Sequence, residues 1–139
     1  MSATAATEKK ILKVLHIGVS NRGTWPLKHC TPATGFQPAA LCDVSEAALE
    51  QARLQTGIEN EFCFTDVDRA LASVEDVDCV IICAPTMLHV PLCKKMIDAG
   101  LPTLVEKGMA PDWASACDLV EYARARNAQR TKCRTMPER

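Results

Sequence analysis

The sequence has almost no net charge and no long apolar run. Its 16 lysines and arginines nearly balance 17 aspartates and glutamates, which leaves a formal net charge of −1. A chain without a positive excess has no electrostatic basis for binding nucleic acid or an anionic membrane surface. No apolar stretch approaches the roughly 20 residues that cross a bilayer. We therefore expect neither nucleic acid nor membrane among its partners.

A secretory leader and clustered cysteines are also missing. Residues 1–10 are small, polar or charged and contain no apolar segment, so they are expected to be a disordered lead-in. The chain has eight cysteines, but no two of them form a C-x-x-C pair. Because several lie within apolar strand-like runs, we expect reduced, buried thiols, no metal site and a cytoplasmic location.

The composition is that of an ordinary soluble domain. The chain has 139 residues, of which 47% are hydrophobic and 24% charged. This length suits one domain with a real core but is short for a complete two-domain enzyme. The sequence contains no internal repeat and no low-complexity segment.

Short apolar runs alternate with helical segments along the chain. This alternation predicts right-handed βαβ units, and hence a doubly wound α/β fold with a Rossmann-like parallel sheet of about five strands in the order 3-2-1-4-5. One folded domain is expected over residues 11–128, with a basic tail at 129–139. The predicted strands are Ile11–Gly18, Phe36–Cys42, Phe62–Thr65, Asp78–Ala84 and Thr103–Glu106, and the predicted helices are Arg22–Cys30, Glu46–Thr56, 66–72, 91–99 and a last helix from Asp112.

Capping residues place the ends of two helices. Ser45 is a favoured N-cap for the second helix, and Gly57 supplies its C-terminal stop. In the fourth helix Pro91 is expected at the first helical position and Gly100 just past the end. In the last helix, Leu119 and Val120 are both predicted to face the core. The core is also expected to contain Met87, Met96 and Met109.

The most informative segment is a glycine turn after the first strand. It has the pattern G-x-S-x-x-G, in which Ser20 replaces the usual middle glycine: Gly18-Val19-Ser20-Asn21-Arg22-Gly23. A strand that turns through glycines into a helix aims backbone N–H groups at one point, which suits a pyrophosphate. The serine either crowds the phosphates or adds its own hydroxyl donor.

An acidic residue stands where a ribose-binding carboxylate is expected. Asp43 follows the second strand, 20 positions beyond Gly23. At a strand tip it could be a plain turn residue, but this offset favours hydrogen bonds to an adenosine ribose.

Two further segments fall on the same edge of the predicted sheet. Ala84-Pro85-Thr86-Met87-Leu88-His89 follows strand four, and Glu106-Lys107-Gly108 follows strand five. Together with the glycine turn and Asp43, these segments resemble the N-terminal dinucleotide-binding half of the glucose–fructose oxidoreductase / inositol dehydrogenase family (Gfo/Idh/MocA). That family usually has T-P-x-x-x-H and E-K-P at these two edges. The resemblance covers residues 11–127, so the folded domain of residues 11–128 is expected to be a dinucleotide-binding domain.

The resemblance implies an NAD(P)-dependent oxidoreductase that transfers a hydride between nicotinamide and a CH–OH group of a sugar, polyol or related small molecule. It implies NAD rather than NADP, because a 2′-phosphate would meet the Asp43 carboxylate as a like charge. It assigns catalytic roles to Lys107 and His89, although a lone histidine near a helix start is more commonly a cap or core residue. The cofactor-binding set it implies is Gly18, Ser20, Asn21, Arg22, Gly23, Asp43, Pro85, Thr86, Glu106 and Lys107.

The chain departs from the family pattern at two points. Gly108 replaces the proline of E-K-P, so the turn after strand five loses rigidity and Lys107 is expected to be held less firmly. The family's substrate domain has no counterpart here, so the chain alone is expected to be weakly active or inactive. A homo-oligomer or partner chain could cover the sheet's carboxyl edge. The alternatives to an enzyme are a non-catalytic dinucleotide-binding or regulatory protein and a truncated product.

Overall fold

The computed structural model describes residues 9–126, which fold around a parallel sheet of five strands. The strands are β1 (Leu12–Ile17), β2 (Phe36–Cys42), β3 (Cys63–Phe64), β4 (Cys79–Ile82) and β5 (Thr103–Val105). Their spatial order, β3-β2-β1-β4-β5, confirms the predicted order, and every neighbouring pair is parallel. Because β1 and β4 are neighbours, the chain winds outward in opposite directions on either side of them.

Helices cover both faces of the sheet, as the doubly wound prediction requires. The helices are α1 (Thr24–His29), α2 (Glu46–Thr56), α3 (Val67–Ser73), α4 (His89–Asp98) and α5 (Trp113–Ala125). One face of the sheet packs against α1 and α2 through a small cluster that contains Leu27, Leu41 and Leu49. The opposite face packs against α3, α4 and α5 through a larger cluster that includes Met96 and Leu119.

The capping predictions are confirmed for α2 and for the end of α4. The Ser45 hydroxyl accepts the Ala48 N–H at 3.2 Å, and Gly57 ends α2 with φ +72°. At the end of α4, Gly100 has φ +70° and donates its N–H to Ile97, while the next residue donates to Met96. These two bonds form a Schellman motif, which satisfies carbonyls that the helix end leaves open.

Three local predictions are wrong. Pro91 is the third residue of α4 rather than the first, because a 3-10 turn at Thr86–Leu88 leads directly into the helix. Its ring is still tolerated there, since N–H groups of the first turn have no partner within the helix. Val120 is 38% exposed, because α5 packs mainly on α4 and buries only a narrow stripe around Leu119. Met87, expected in the core, is 71% exposed.

Seven of the eight cysteines lie within residues 9–126. Six of these carry free thiols: Cys30, Cys42, Cys63, Cys79, Cys83 and Cys117. No group of three or more His, Cys, Asp or Glu residues in this part of the chain could hold a metal ion. No helix in residues 9–126 is long and apolar enough to span a membrane. The basic tail at 129–139 and all but two residues of the predicted lead-in lie outside the described residues.

One histidine is buried inside the sheet without a hydrogen bond on Nε2. His16 lies on β1 beside Leu41 and Ile81, on the face that packs against α1 and α2, and is 2% exposed. Its Nε2 has no partner among the described residues. Desolvation disfavours the charged ring and lowers the pKa of His16 from 6.5 to about 4.

Protonation of His16 is therefore expected to destabilise the fold in acid. The unfolded chain takes up this proton as the pH falls below about 6.5, whereas the folded protein does so only near pH 4. The contribution of His16 is fully present above pH 6.5 and is lost progressively between the two values, by about 3 kcal/mol in total. Urea unfolding of wild type and His16→Phe at pH 7.5 and pH 5 measures the difference.

The His16→Phe variant is expected to lose less stability on acidification than the wild type. The matched control is His29→Gln, because His29 is exposed. Equal pH dependence in wild type and His16→Phe would show that His16 does not contribute.

Candidate functional site

A groove opens at the carboxyl ends of β1 and β4, where the sheet reverses its direction of winding. This is the position at which open α/β sheets bind ligands. The groove has a volume of about 510 Å³. Every residue of the predicted cofactor-binding and catalytic set lines it except Gly23: Gly18, Ser20, Asn21, Arg22, Asp43, Pro85, Thr86, His89, Glu106 and Lys107.

Two glycines let the turn after β1 pack tightly against the rest of the site. Gly18 has φ +83°, and a Cβ there would lie 2.6 Å from the backbone nitrogen of Ala84. A Cβ on Gly23 would lie 1.9 Å from the carbonyl oxygen of Gly18. Real Cβ contacts are never this short, so both positions require glycine. The turn can therefore approach the exit of β4 and close one side of the groove.

Ser20, by contrast, occupies a position that does not require glycine. Its backbone is extended, with φ −90° and ψ 165°, which any residue adopts. Its hydroxyl donates to Oδ2 of Asp43 at 3.2 Å, and its N–H points to the same oxygen at 3.3 Å. The sequence predicted that the hydroxyl either crowds or binds the phosphates, whereas in the structure it contacts the carboxylate at the tip of β2.

Both carboxylate oxygens of Asp43 accept hydrogen bonds. Oδ2 accepts the Val19 N–H at 2.9 Å in addition to the two Ser20 donors. Oδ1 accepts the Ser45 N–H at 2.9 Å. The carboxylate thus joins the glycine turn to the start of α2, and Oδ1 retains the greater capacity for a further donor.

His89 is held between two backbone carbonyls. It is 1% exposed, with Nδ1 2.7 Å from the Gly108 oxygen and Nε2 2.7 Å from the Ala84 oxygen. Both ring nitrogens are therefore engaged by the protein itself. This arrangement gives no support to the catalytic role that the sequence predicted for His89, because neither nitrogen is left to exchange a proton with a substrate.

The edge of β5 presents Lys107 to the groove. The Glu106 N–H donates to the Ile82 carbonyl at 2.8 Å, which extends the pairing of β4 and β5. The Glu106 side chain accepts the Lys107 N–H at 2.9 Å. The Lys107 side chain is exposed and makes no hydrogen bond or ion pair with residues 9–126. Its ammonium is thus available to a ligand.

Some lining residues were not predicted from the sequence. Val44 is 89% exposed beside Asp43, and Leu88 is 48% exposed after β4, so both offer apolar surface to a ligand. Cys42 and Cys83 also line the groove. Burial raises the pKa of each thiol to about 11, with smaller contributions from Asp43 and Glu106 respectively. Both are therefore neutral lining groups at neutral pH, and only their places at strand ends could have indicated them.

Comparison with known proteins matches this domain to one family. The profile described as "Oxidoreductase family, NAD-binding Rossmann fold" (GFO_IDH_MocA) covers residues 12–132. The inositol 2-dehydrogenase 1 of Paenarthrobacter aurescens is 33% identical over 84% of this chain and 34% of its own length. The inositol 2-dehydrogenase of Corynebacterium glutamicum is 40% identical over 78% of this chain and 33% of its own length. The chain therefore spans about a third of the length of these relatives.

Solved structures share the fold. The scyllo-inositol dehydrogenase of Lactobacillus casei, solved with NAD(H) and scyllo-inositol, superposes with a TM-score of 0.76 at 22% identity, over 85% of this chain and 34% of that one. The WlbA dehydrogenase of Chromobacterium violaceum, solved with NADH and UDP-GlcNAcA, gives a TM-score of 0.73 at 24% identity, over 87% and 34%.

Substitutions at Gly23, which requires glycine, and at Ser20, which does not, are expected to lower the stability of the domain by different amounts. Gly23→Ala forces the turn away from the Gly18 oxygen and is expected to destabilise the domain by about 2 kcal/mol or more. Ser20→Ala keeps the extended backbone, loses one hydrogen bond, and is expected to cost only about 0.5–1.5 kcal/mol. Urea denaturation followed by circular dichroism measures both, and equal costs would contradict the steric argument.

Proposed function

The chain belongs to the Gfo/Idh/MocA family of oxidoreductases, and on this basis we propose that it is the cofactor-binding part of an NAD-dependent oxidoreductase. The proposed reaction is hydride transfer between nicotinamide and a CH–OH group of a sugar, polyol or related small molecule. The proposal rests on one continuous groove, which is lined by the glycine turn and Asp43 at one end and by Lys107 at the other.

The glycine turn is suited to a pyrophosphate. Its tight approach to β4 places the start of the 3-10 turn at Asn21–Gly23 in the groove wall. The first N–H groups of such a turn have no partner within it, so those of Asn21 and Arg22 can donate to phosphate oxygens. The Arg22 guanidinium lines the same wall and adds a positive charge. Val19 and Ser20 instead direct their N–H groups to Asp43.

Asp43 is suited to the adenosine ribose. Its Oδ1 accepts one N–H in the structure and can take a further bond from a ribose hydroxyl. The negative charge, fixed by its four donors, would repel a 2′-phosphate, which favours NAD over NADP. The exposed side chain of Val44 beside it provides an apolar surface for the adenine ring.

The opposite end of the groove is suited to nicotinamide and substrate. When bound, NAD supplies the hydride chemistry. Pro85 and Thr86 line the groove after β4, and Glu106 and Lys107 line it after β5. The Lys107 ammonium can donate a hydrogen bond to a substrate oxygen and stabilise negative charge on it.

One side of this site is open. Val44, Met87 and Leu88 expose apolar surface at or near the carboxyl edge of the sheet. Such exposure at a ligand groove is typical of a surface that another element covers. We propose that a further domain or a partner chain, including a second copy in a homo-oligomer, covers this edge. A reducing, cytoplasmic location is supported by the free thiols of six cysteines: Cys30, Cys42, Cys63, Cys79, Cys83 and Cys117.

The same observations support a second candidate, a non-catalytic dinucleotide-binding or regulatory protein. His89 has both nitrogens engaged, and the Glu106 carboxylate accepts the Lys107 N–H. Among the described groove residues at the nicotinamide end, Lys107 is therefore the charged side chain that makes no hydrogen bond. An ammonium group donates hydrogen bonds but has no lone pair with which to accept the proton of a substrate hydroxyl. Binding without turnover is therefore compatible with this half of the site.

Asp43 is predicted to set the preference for NAD. Asp43→Asn preserves the shape of the side chain but removes its charge, so it is expected to weaken NAD binding by about 1–3 kcal/mol and to narrow the preference over NADP. Isothermal titration of both nucleotides into both proteins measures this. Glu46→Gln is the control, because this acidic residue of α2 is exposed and does not line the groove. Equal affinity of the wild type for NAD and NADP would contradict the role of Asp43.

Residues 1–139 alone are predicted to bind NAD with little or no turnover. Hydride transfer requires a substrate fixed roughly 3–3.5 Å from the reacting carbon and a group to take the hydroxyl proton. The open groove fixes neither. Assays of NAD reduction with inositol, glucose and xylose, run beside Lys107→Ala, test this. Turnover at ordinary enzyme rates that Lys107→Ala abolishes would refute the prediction and favour the enzyme over the non-catalytic candidate.

A further inference from the structure

We propose that His89 is a positioning residue, which fastens the turn bearing Lys107 to the exit of β4 by donating hydrogen bonds from both ring nitrogens. The contact itself is independent of ligand. Its consequence for binding at the nicotinamide end depends on the function proposed above.

The geometry joins two segments that are otherwise separate in sequence. Ala84 follows β4, and Gly108 follows β5. The His89 ring lies between their carbonyl oxygens, at 2.7 Å from each, and is almost completely buried. The two strand exits that form the nicotinamide end of the groove are therefore linked through one side chain.

The two carbonyl partners determine which ring nitrogens of His89 carry protons. Backbone carbonyl oxygens only accept hydrogen bonds, and a neutral imidazole has one N–H donor and one acceptor. Two carbonyls at hydrogen-bond distance are satisfied together only when both ring nitrogens carry protons. The length of 2.7 Å is also typical of charge-assisted bonds. We therefore assign His89 as an imidazolium, in a groove whose other charged groups are Arg22, Asp43, Glu106 and Lys107.

The residues of the turn after β5 hold it on one side only, through the hydrogen bond from the Lys107 N–H to the Glu106 side chain. Gly108 is exposed, and a Cβ there would meet nothing closer than 3.7 Å. The Lys107 side chain has no partner within residues 9–126, so its place in the groove is set by the backbone. The Glu106 side chain holds the Lys107 N–H from one side, and His89 holds the Gly108 carbonyl from the other.

The first test determines whether both ring nitrogens of His89 carry protons. Nitrogen-15 NMR of the full chain, labelled on its histidines and recorded at pH 7, distinguishes a ring with two N–H groups from a neutral tautomer. The set of signals that is lost in His89→Gln belongs to His89. His16, buried with its pKa lowered to about 4, is an internal neutral reference. Two protonated nitrogens on His89 would support the proposal, and one unprotonated nitrogen would overturn it.

The second test asks whether His89 acts through Lys107. NADH and ADP-ribose are titrated into wild type, His89→Phe, Lys107→Ala and the double variant. ADP-ribose lacks nicotinamide and reports only on the end formed by the glycine turn and Asp43. His89→Phe is expected to weaken NADH about tenfold, the effect of one lost hydrogen bond of ordinary strength, while ADP-ribose changes less than about twofold.

The double variant tests whether the effects of His89 and Lys107 on NADH affinity are coupled. If His89 acts through Lys107, the double variant is expected to lose no more NADH affinity than Lys107→Ala alone. Additive losses, or equal loss of NADH and ADP-ribose in His89→Phe, would overturn the proposal. His89→Gln, which retains N–H donors, is expected to recover part of the NADH affinity and replaces His89→Phe if that variant does not fold. Absence of nucleotide binding in the wild type would instead refute the proposed function, and the NMR result would stand separately.

Discussion

The site depends on one steric constraint, the close approach of the turn after β1 to its own first residue and to β4. Gly23 packs where a Cβ would lie 1.9 Å from the Gly18 oxygen, and Gly18 packs where a Cβ would lie 2.6 Å from the Ala84 nitrogen. Because the turn is this tight, it lies against the exit of β4, and its residues Gly18, Ser20, Asn21 and Arg22 form part of the groove wall.

Asp43 connects this constraint to recognition. Its carboxylate holds the N–H groups of Val19 and Ser20, so it stabilises the conformation of the turn before any ligand arrives. The same group is the candidate ribose acceptor. Turn geometry and nucleotide preference therefore depend on one side chain, and Ser20 contributes to both because its hydroxyl contacts that carboxylate. A serine in place of the middle glycine is thus consistent with a nucleotide site.

Local signals in the sequence were sufficient for the architecture, whereas contacts between distant segments were not. The alternation of apolar runs predicted the order of the strands, and Ser45 and Gly57 predicted both ends of α2, because caps act within a few residues. The bond from Ser20 to Asp43 joins residues 23 positions apart, and that from His89 to Gly108 joins residues 19 apart. Neither has a sequence signature. Val120 was placed wrongly because periodicity does not indicate how wide a buried stripe is.

The two ends of the groove differ in how they are held, and this difference bears on what the domain does alone. At the Asp43 end, the carboxylate is fixed by four donors and the turn by close packing, so the binding groups are already in place. At the Lys107 end, the backbone is fastened by His89 and Glu106, but the ammonium is exposed and faces an open side. Preorganised binding at one end and an incomplete wall at the other favour nucleotide capture over chemistry, until another surface closes the groove and restricts the position of Lys107.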